Sequence, residues 1–397
     1  MRILFCNYEY PPLGGGGGVI NALLAGEIAK RQEVTVLTSQ GMGLPAESIE
    51  NGVRVVRAPV FFRRQEAVAN HLSMLAFIPS GINVGRNLMK TNQFDLINTH
   101  FVLPTGPVGD FLARFAGIPN VLTLHGGDLY DPTRLISTHR QPLLRMWIRH
   151  LLRRSNLVVG QSTNTLENMR RFYTPEIEGI RVPLGIERPK VGAAPRERYS
   201  CTEDETLFVT VGRLIARKAN HQLISLMEIL RKEKVRLLII GTGPEEQSLK
   251  EKCLKADLGN QILFLSQVQE AEKFRILQMC DIYVSTTQHE GFGLVFLEAM
   301  ACGLPIICYD HGGQTDFLHD KKTGYLVSLN NTDLFNRRCQ LLIRNPRLRK
   351  TMGENNKRLV EEFYIDQCAM RYESIFNEVL QNNGNGKQPC SLQARTA

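Results

Sequence analysis

The chain has no Cys-x-x-Cys pair, no apolar run as long as a membrane span, and no Gly-Lys-Ser/Thr ending on its glycine-rich loop. Each absence excludes something. Nine cysteines, an odd number, are scattered through what read as strands and helices. That pattern argues for reduced, buried thiols and against a zinc site or a disulfide framework. The chain opens directly on a strand, Arg2 to Asn7, with no signal-peptide pattern, so a cytoplasmic location is expected. Nucleic acid is not an expected partner, because no binding motif is present and aromatics are not interleaved with basic residues. What is there is an ordinary globular composition, 22% charged and 43% hydrophobic over 397 residues, long enough for two domains. The formal charge of +9 is concentrated early, with 19 basic against 13 acidic residues before Ile186 and 29 against 26 after it.

Strand-like and helix-like runs alternate throughout, which predicts α/β layers around parallel sheets. First-half strand candidates are Arg2 to Tyr8, Glu33 to Thr38, Val53 to Arg57, Phe94 to Thr99, Asn120 to His125 and Leu157 to Gln161. In the second half they are Thr206 to Gly212, Val235 to Gly241, Gln261 to Leu265, Asp281 to Ser285, Pro305 to Tyr309 and Gly324 to Val327. Two Rossmann-like domains are the economical solution. The first is expected over 1–186 and the second over 206–364, with the Pro-, Gly- and charge-rich stretch 187–205 as linker. A long helical run, Pro346 to Gln381, is expected to cross back to the first domain through about 365–381, and 382–397 to be disordered.

The stretch His289 to Ile307, HEGFGLVFLEAMACGLPII, carries the strongest chemical signal. After a short buried strand, Gly291 and Gly293 permit a sharp turn around Phe292, and a helix follows from Leu294 to Cys302. Free N–H groups at such a helix start suit an anionic or hydroxylated ligand. The helix is apolar all round except for Glu298, so it is expected to be buried. A lone buried carboxylate costs several kcal/mol, roughly, unless bound. Either a core Arg or Lys or a ligand must supply that partner. Glu290 lies eight residues earlier, on the order of 12 Å away at about 1.5 Å per helical residue. That span suits opposite ends of an elongated polar ligand better than two acids acting on one bond.

Other motifs gather at strand ends. Pro11 to Gly18, PPLGGGGG, follows the first strand and precedes a helix expected near Val19. Its glycines allow close backbone approach to a phosphate, although the dinucleotide fingerprint spacing is missing. His125 ends one strand before Gly126 and Gly127, and His100 ends another; His125 is the favoured ligand-facing residue. Gly212, Arg213 and Lys218 follow a strand in VTVGRLIARK, and two such cations suit a diphosphate. Arg217 either adds to that charge or is simply solvated. Gly241 and Gly243, in GTGP, are placed to shape a base pocket, and His311 to Thr315 ends a further strand. Gln141 to Ser155 reads as an amphipathic helix with Arg145, Arg149 and Arg153 as one positive stripe. A solvated face is the favoured reading of that stripe. Docking on an anionic membrane is the alternative, with Phe61, Phe62, Arg63 and Arg64 adding to the patch.

Together these pieces resemble the GT4-type retaining glycosyltransferases of GT-B fold, the group 1 family. The resemblance covers about residues 1–380 and is carried most specifically by Gly-Arg-Leu-x-x-x-Lys at 212–218 and Glu-x7-Glu at 290–298. It implies two Rossmann-like domains facing across a cleft, the first for the acceptor and the second for a nucleotide diphosphate sugar. By matching position it implies that Arg213 and Lys218 hold the diphosphate and that Glu290 binds the transferred sugar. The backbone of Gly291, Phe292, Gly293 and Leu294 would contact sugar and phosphate, and Glu298 the ribose hydroxyls. His125 would sit beside the sugar, and Gly15 or Gly16 would touch the diphosphate or acceptor. His125, Glu290, Arg213 and Lys218 would be the catalytic set, with no cofactor or metal; no Asp-x-Asp pair is present. The acceptor would be a glycan, a lipid-linked molecule or a small molecule, reached in the cytoplasm or on the inner membrane face.

The sequence departs from the family at Arg217 and Ala219, where Glu and Gly flank the lysine, and Glu187 directly follows the Gly-Ile step. A nucleotide-sugar epimerase or phosphorylase on the same fold, and a catalytically silent binder, are the alternatives.

Overall fold

A computed structural model describes residues 1–61, 63, 70–133 and 137–384. Phe62, Arg64 and residues 385–397 of the expected disordered tail 382–397 lie outside the described residues, whereas 382–384 are helical and not disordered. The chain divides into two compact units, Met1–Ile186 together with the stretch from Tyr364 on, and Glu187–Phe363.

In the first unit the strands are β1 (Arg2–Cys6), β2 (Glu33–Gln40), β3 (Glu47–Glu50), β4 (Val53–Pro59), β5 (Leu96–His100), β6 (Asn120–Leu124), β7 (Leu157–Gly160) and β8 (Ile180–Arg181). Its helices are α1 (Gly16–Ala29), α2 (His71–Thr91), α3 (Gly106–Ala116), α4 (Pro142–Arg154) and α5 (Thr163–Phe172). The sheet order is β3-β4-β2-β1-β5-β6-β7-β8, parallel except for the β3–β4 pair. Both faces of the central strands are covered, which is why β1 reads as an unbroken apolar run from Ile3 to Cys6. Ile3 and Phe5 pack with Leu24 and Ile28 of α1, while the alternate residues Leu4 and Cys6 pack with Phe77 of α2 and Leu112 of α3. Local signals set the helix starts. Asn70 Oδ1 accepts from Ser73 N at 2.7 Å before α2, and Ser162 Oγ from Thr165 N at 3.1 Å before α5.

The second unit runs β9 (Thr206–Val211), α6 (His221–Ile229), β10 (Val235–Ile240), α7 (Glu246–Lys255), β11 (Ile262–Leu265), α8 (Glu270–Met279), β12 (Ile282–Ser285), α9 (Leu294–Ala301), β13 (Ile306–Tyr309), β14 (Gly324–Val327), α10 (Thr332–Ile343) and α11 (Pro346–Leu359). Its parallel sheet has the order β11-β10-β9-β12-β13-β14. Most of the stretch read as a linker is ordered in this unit. Ala194 N donates to Arg275 O at 2.9 Å, and Arg196 reaches Asp281 at 3.1 Å.

The single helical run expected from Pro346 to Gln381 is broken. A 3-10 turn at Val360–Phe363 separates α11 from α12 (Ile365–Gly384). The break has a cause: Ile365 N donates to Ile186 O at 2.9 Å, diverting the backbone from the helical ladder. Cys368, Tyr372 and Phe376 of α12 then join the core of the first unit beneath Phe5. Phe376 is fully buried, with its ring 6.4 Å from that of Phe5 and 5.7 Å from Tyr372. Phe376→Ala is expected to destabilise the first unit by about 3–5 kcal/mol. Denaturant unfolding followed by Trp147, the sole tryptophan, checks this, since Trp147 lies in α4 of that unit.

Candidate active site

In each sheet the chain builds outward in one direction and then reverses, and ligands of such sheets sit at the reversal. In the second unit it falls between β9 and β12. The loops after those two strands therefore lie side by side, and they carry the cations and Glu290. Lys218 Nζ donates to Glu290 Oε1, and Arg217 Nη1 lies 3.3 Å from Glu290 Oε2 while also donating to the His289 carbonyl. Thr287 Oγ1 adds a bond to Oε1 at 3.1 Å. Burial pushes the Glu290 carboxyl up, but Lys218 and Arg217 outweigh it and bring it down to about 2. Of the two readings of Arg217, added charge and simple solvation, the structure supports the first: it is the second counter-ion of Glu290. Its position beside Lys218 was visible in the sequence; its direction was not. Arg213 is exposed at the end of β9. Ala219, where the family has Gly, adopts φ 48°, a left-handed conformation that glycine takes without strain.

Glu298 lies in α9 and is buried. Of the two partners open to it, the structure supplies the core cation. Lys273 Nζ of α8 sits 2.8 Å from Oε1. Oε2 remains buried without a hydrogen-bond partner among the described residues. Burial raises this carboxyl above its usual range, against the pull of Lys273. Lys273 was missed because it lies 25 residues away on another helix, a separation that carries no periodic signal.

The glycines around α9 do unequal work. Gly293 is the N-cap at φ 96°, a region costly for any side chain, whereas Gly291 is not in the positive-φ region. Phe292 is buried, with its ring 5.2 Å from that of Phe317, and Leu294 is the first helical residue. Gly241 and Gly243 explain themselves by packing. A Cβ on Gly241 would lie 2.1 Å from Gly212 O, and one on Gly243 2.3 Å from Leu214 O. The GTGP turn thus presses against the loop that carries Arg213. Gly313 N donates to Glu290 O at 2.8 Å, so the HGGQT turn braces the backbone of Glu290.

In the first unit the reversal falls between β1 and β5. The glycine run is less of a loop than expected, for α1 starts at Gly16 with Gly15 as N-cap, and of Gly14 to Gly18 only Gly14 has positive φ. Glu9 occupies the turn. Its Oε2 accepts from Gly15 N at 3.0 Å, a carboxylate at a helix N-terminus, where an anion is favoured.

His125 follows β6 and is brought against His100 at the end of β5. Their rings bond through His100 Nδ1 and His125 Nε2 at 3.0 Å. Phe101 stacks on His125 with centroids 4.2 Å apart. Gln161 Nε2 donates to the His125 carbonyl at 2.6 Å, and Asp128 Oδ1 accepts from its N–H at 3.1 Å. Burial lowers the His125 pKa to about 3, and burial followed by the neighbouring His125 lowers that of His100 well below its usual value. His100, ranked second from the sequence, is therefore the direct neighbour of the favoured histidine.

The arginine stripe of α4 is neither a free cationic patch nor fully solvated. Arg145 Nε donates to Phe172 O at 3.0 Å, Arg149 Nε to Tyr173 O at 2.6 Å, and Arg153 Nε to Glu176 Oε1 at 2.8 Å. The first two satisfy carbonyls at the end of α5, as cations near a helix C-terminus do. Arg63, by contrast, is buried, bonded to Ser39 Oγ at 3.1 Å and lying over the Tyr8 ring, while Phe61 is exposed. Among the described residues no helix is long and apolar enough to cross a membrane.

Comparison with known proteins follows the same division. Residues 195–359 match the family model "Glycosyl transferases group 1", and residues 14–185 match "Glycosyl transferase 4-like domain". The chain is 26% identical over 390 residues to N-acetyl-alpha-D-glucosaminyl L-malate synthase of Bacillus anthracis, covering 95% of this chain and 97% of that one. Among solved structures it is similar to sucrose-phosphate synthase of Thermosynechococcus elongatus, with TM-score 0.84, 20% identity, and coverage of 96% and 99%. It is also similar to HepE of Anabaena in complex with UDP-glucose, with TM-score 0.76, 17% identity, and coverage of 95% and 100%.

The buried histidines generate a pH prediction. Both pKa values are lowered in the folded state, so below about pH 6.5 the unfolded chain takes up protons that the folded chain does not. This part of the stability is intact above pH 6.5 and is lost as pH falls toward about 3. Trp147-monitored unfolding at pH 7.5 and pH 5 is expected to show the loss, and His125→Gln to reduce it.

Proposed function

The chain belongs to the group 1 glycosyltransferases, built on the GT-B fold, and from that membership we propose how it transfers a sugar. The donor is a nucleotide diphosphate sugar, and the acceptor is a hydroxyl of a glycan, a lipid-linked molecule or a small molecule. The anomeric configuration is retained and no metal takes part. One observation carries this reading: a buried, ionised carboxylate and two cations on facing loops at the reversal of the donor-type sheet.

Lys218 and Arg213 neutralise the diphosphate as it leaves, which is electrostatic stabilisation by groups already in place. As the diphosphate binds, the Lys218 ammonium moves to it from Glu290 Oε1. That oxygen then accepts from hydroxyls of the transferred sugar, and Arg217 keeps the carboxylate charged. The backbone from Gly291 through Phe292 and Gly293 to Leu294 contacts sugar and phosphate, with Gly241 and Gly243 on the base side. The Glu298 carboxylate, held by Lys273, takes the ribose hydroxyls. His125 serves the transferred sugar. At Gly15 and Gly16 the Glu9 carboxylate favours an acceptor hydroxyl over a phosphate. No carboxylate stands out as nucleophile, so the acceptor attacks on the face the nucleotide leaves. The eight described cysteines are free and buried, which supports a reducing compartment such as the cytoplasm.

Lys218→Met and Glu290→Gln are each expected to lower kcat/KM by at least about 100-fold with unchanged circular dichroism. Gln is preferred to Ala because its amide oxygen can still accept from Lys218 and Thr287. Full activity in both variants overturns the assignment. The complex of HepE supports UDP conjugates as the first donors to test, beside GDP and ADP conjugates, and the fitting donor is expected to raise Tm by mass action. NMR of the product is expected to show the donor's anomeric configuration; inversion sinks the retaining mechanism. Sugar interconversion without acceptor or nucleotide release would sink transfer itself.

A further inference from the structure

His100 has no role in the mechanism above, yet it is buried against the one histidine that does. The hydrogen bonds around it form a chain whose proton positions can be deduced. Asn98 Nδ2 lies 3.1 Å from the Val121 carbonyl and 3.0 Å from Thr123 Oγ1. A carbonyl only accepts, so the amide nitrogen must face it, and Asn98 Oδ1 must face the other way. That oxygen lies 2.7 Å from His100 Nε2, so Nε2 carries the proton. Thr123 Oγ1 also receives the Tyr372 hydroxyl at 3.3 Å, which ties the chain to α12.

Burial keeps both imidazoles neutral, and a neutral ring has one N–H. With its proton on Nε2, His100 has a bare Nδ1. The bond of 3.0 Å to His125 Nε2 then requires His125 to donate. Its own single proton is thereby used, and its Nδ1 is left with a lone pair. Phe101 against the ring, Gln161 on the carbonyl and Asp128 on the N–H fix where the imidazole stands.

We propose that Asn98 and His100 are positioning residues that set His125 as its Nε2–H tautomer, so that His125 offers the substrate an acceptor and never a donor. The ligand group this selects is a hydroxyl, which can donate to Nδ1. A group with only acceptor oxygens at that position would be rejected. The proposal rests on the reading that His125 serves the transferred sugar, but the tautomer can be measured without a donor.

Long-range proton–nitrogen correlation spectra of the full chain, labelled with 15N-histidine and assigned with His100→Phe and His125→Gln, provide the direct test. Near neutral pH, His125 and His100 are each expected to show a protonated Nε2 and a bare Nδ1. A protonated Nδ1 on His125 overturns the proposal whatever the enzyme's activity. Transfer assays supply the second test. His100→Phe keeps a ring in the core but removes the acceptor, and kcat/KM is expected to fall by about 100-fold. His100→Asn returns an amide oxygen near the place of Nδ1 and is expected to recover activity to within about 10-fold of the parent. Equal activity in the Phe variant and the parent, with an unchanged His125 spectrum, overturns the positioning role. Should the Phe variant misfold, the rescue criterion passes to Asn98→Asp, whose carboxylate draws a second proton onto His100 and is expected to move the His125 proton to Nδ1; an unmoved His125 spectrum overturns the proposal. A parent with the expected spectrum but no transfer with any nucleotide sugar would instead defeat the transferase reading and leave the tautomer assignment standing.

Discussion

Glu290 is a carboxylate taken almost wholly out of water, and its ionisation depends on two cations from one neighbouring loop. Desolvation alone would protonate it. A protonated acid would lose its charge and, with it, its hold on Lys218. Two cations serve better than one here, because a single counter-ion cannot both neutralise the acid and be lent to an arriving anion. Arg217 is suited to the permanent share, since its fork spans the acid and the His289 carbonyl at once. Lys218, a point charge on a flexible stem, is suited to the share that moves.

That juxtaposition follows from connectivity. In both sheets the chain adds strands in one direction and then returns past the first strand to continue on its other side. The loops at the return cannot be covered by the crossover helices, so their polar groups stay available. In the second unit the device joins residues 72 apart in the chain, Lys218 and Glu290. In the first, the next strand edge along brings His100 to His125 across 25 residues.

The parallel layers and most strand positions could be read from the alternation of largely apolar, β-branched runs with helical ones, because strands buried on both faces are mostly apolar. The two-residue β8 and the polar antiparallel edge β3 leave almost none. The residues Arg213, Lys218, Glu290 and Glu298 could be singled out because charge at a strand end or in an apolar helix is conspicuous. Their partners could not. Lys273 sits in a helix of mixed polarity, and only the fold turns it toward Glu298. Arg145 and Arg149 show the converse, since regular spacing suggested a solvated face while carbonyls at the end of α5 take their donors; Arg153 does stay on the surface. Five glycines in a row suggested a loop, yet a neighbouring helix start accommodates most of them.

The crossing of α12 back into the first unit bears on how the protein is made. Strand β1 is synthesised long before α12, and the core that they share stays open until Cys368, Tyr372 and Phe376 have been made. The second unit, continuous from Glu187 to Phe363, has no such debt to later residues. The half that is translated first is therefore the half that matures last, and until then its apolar sheet face is a surface for chaperones to cover.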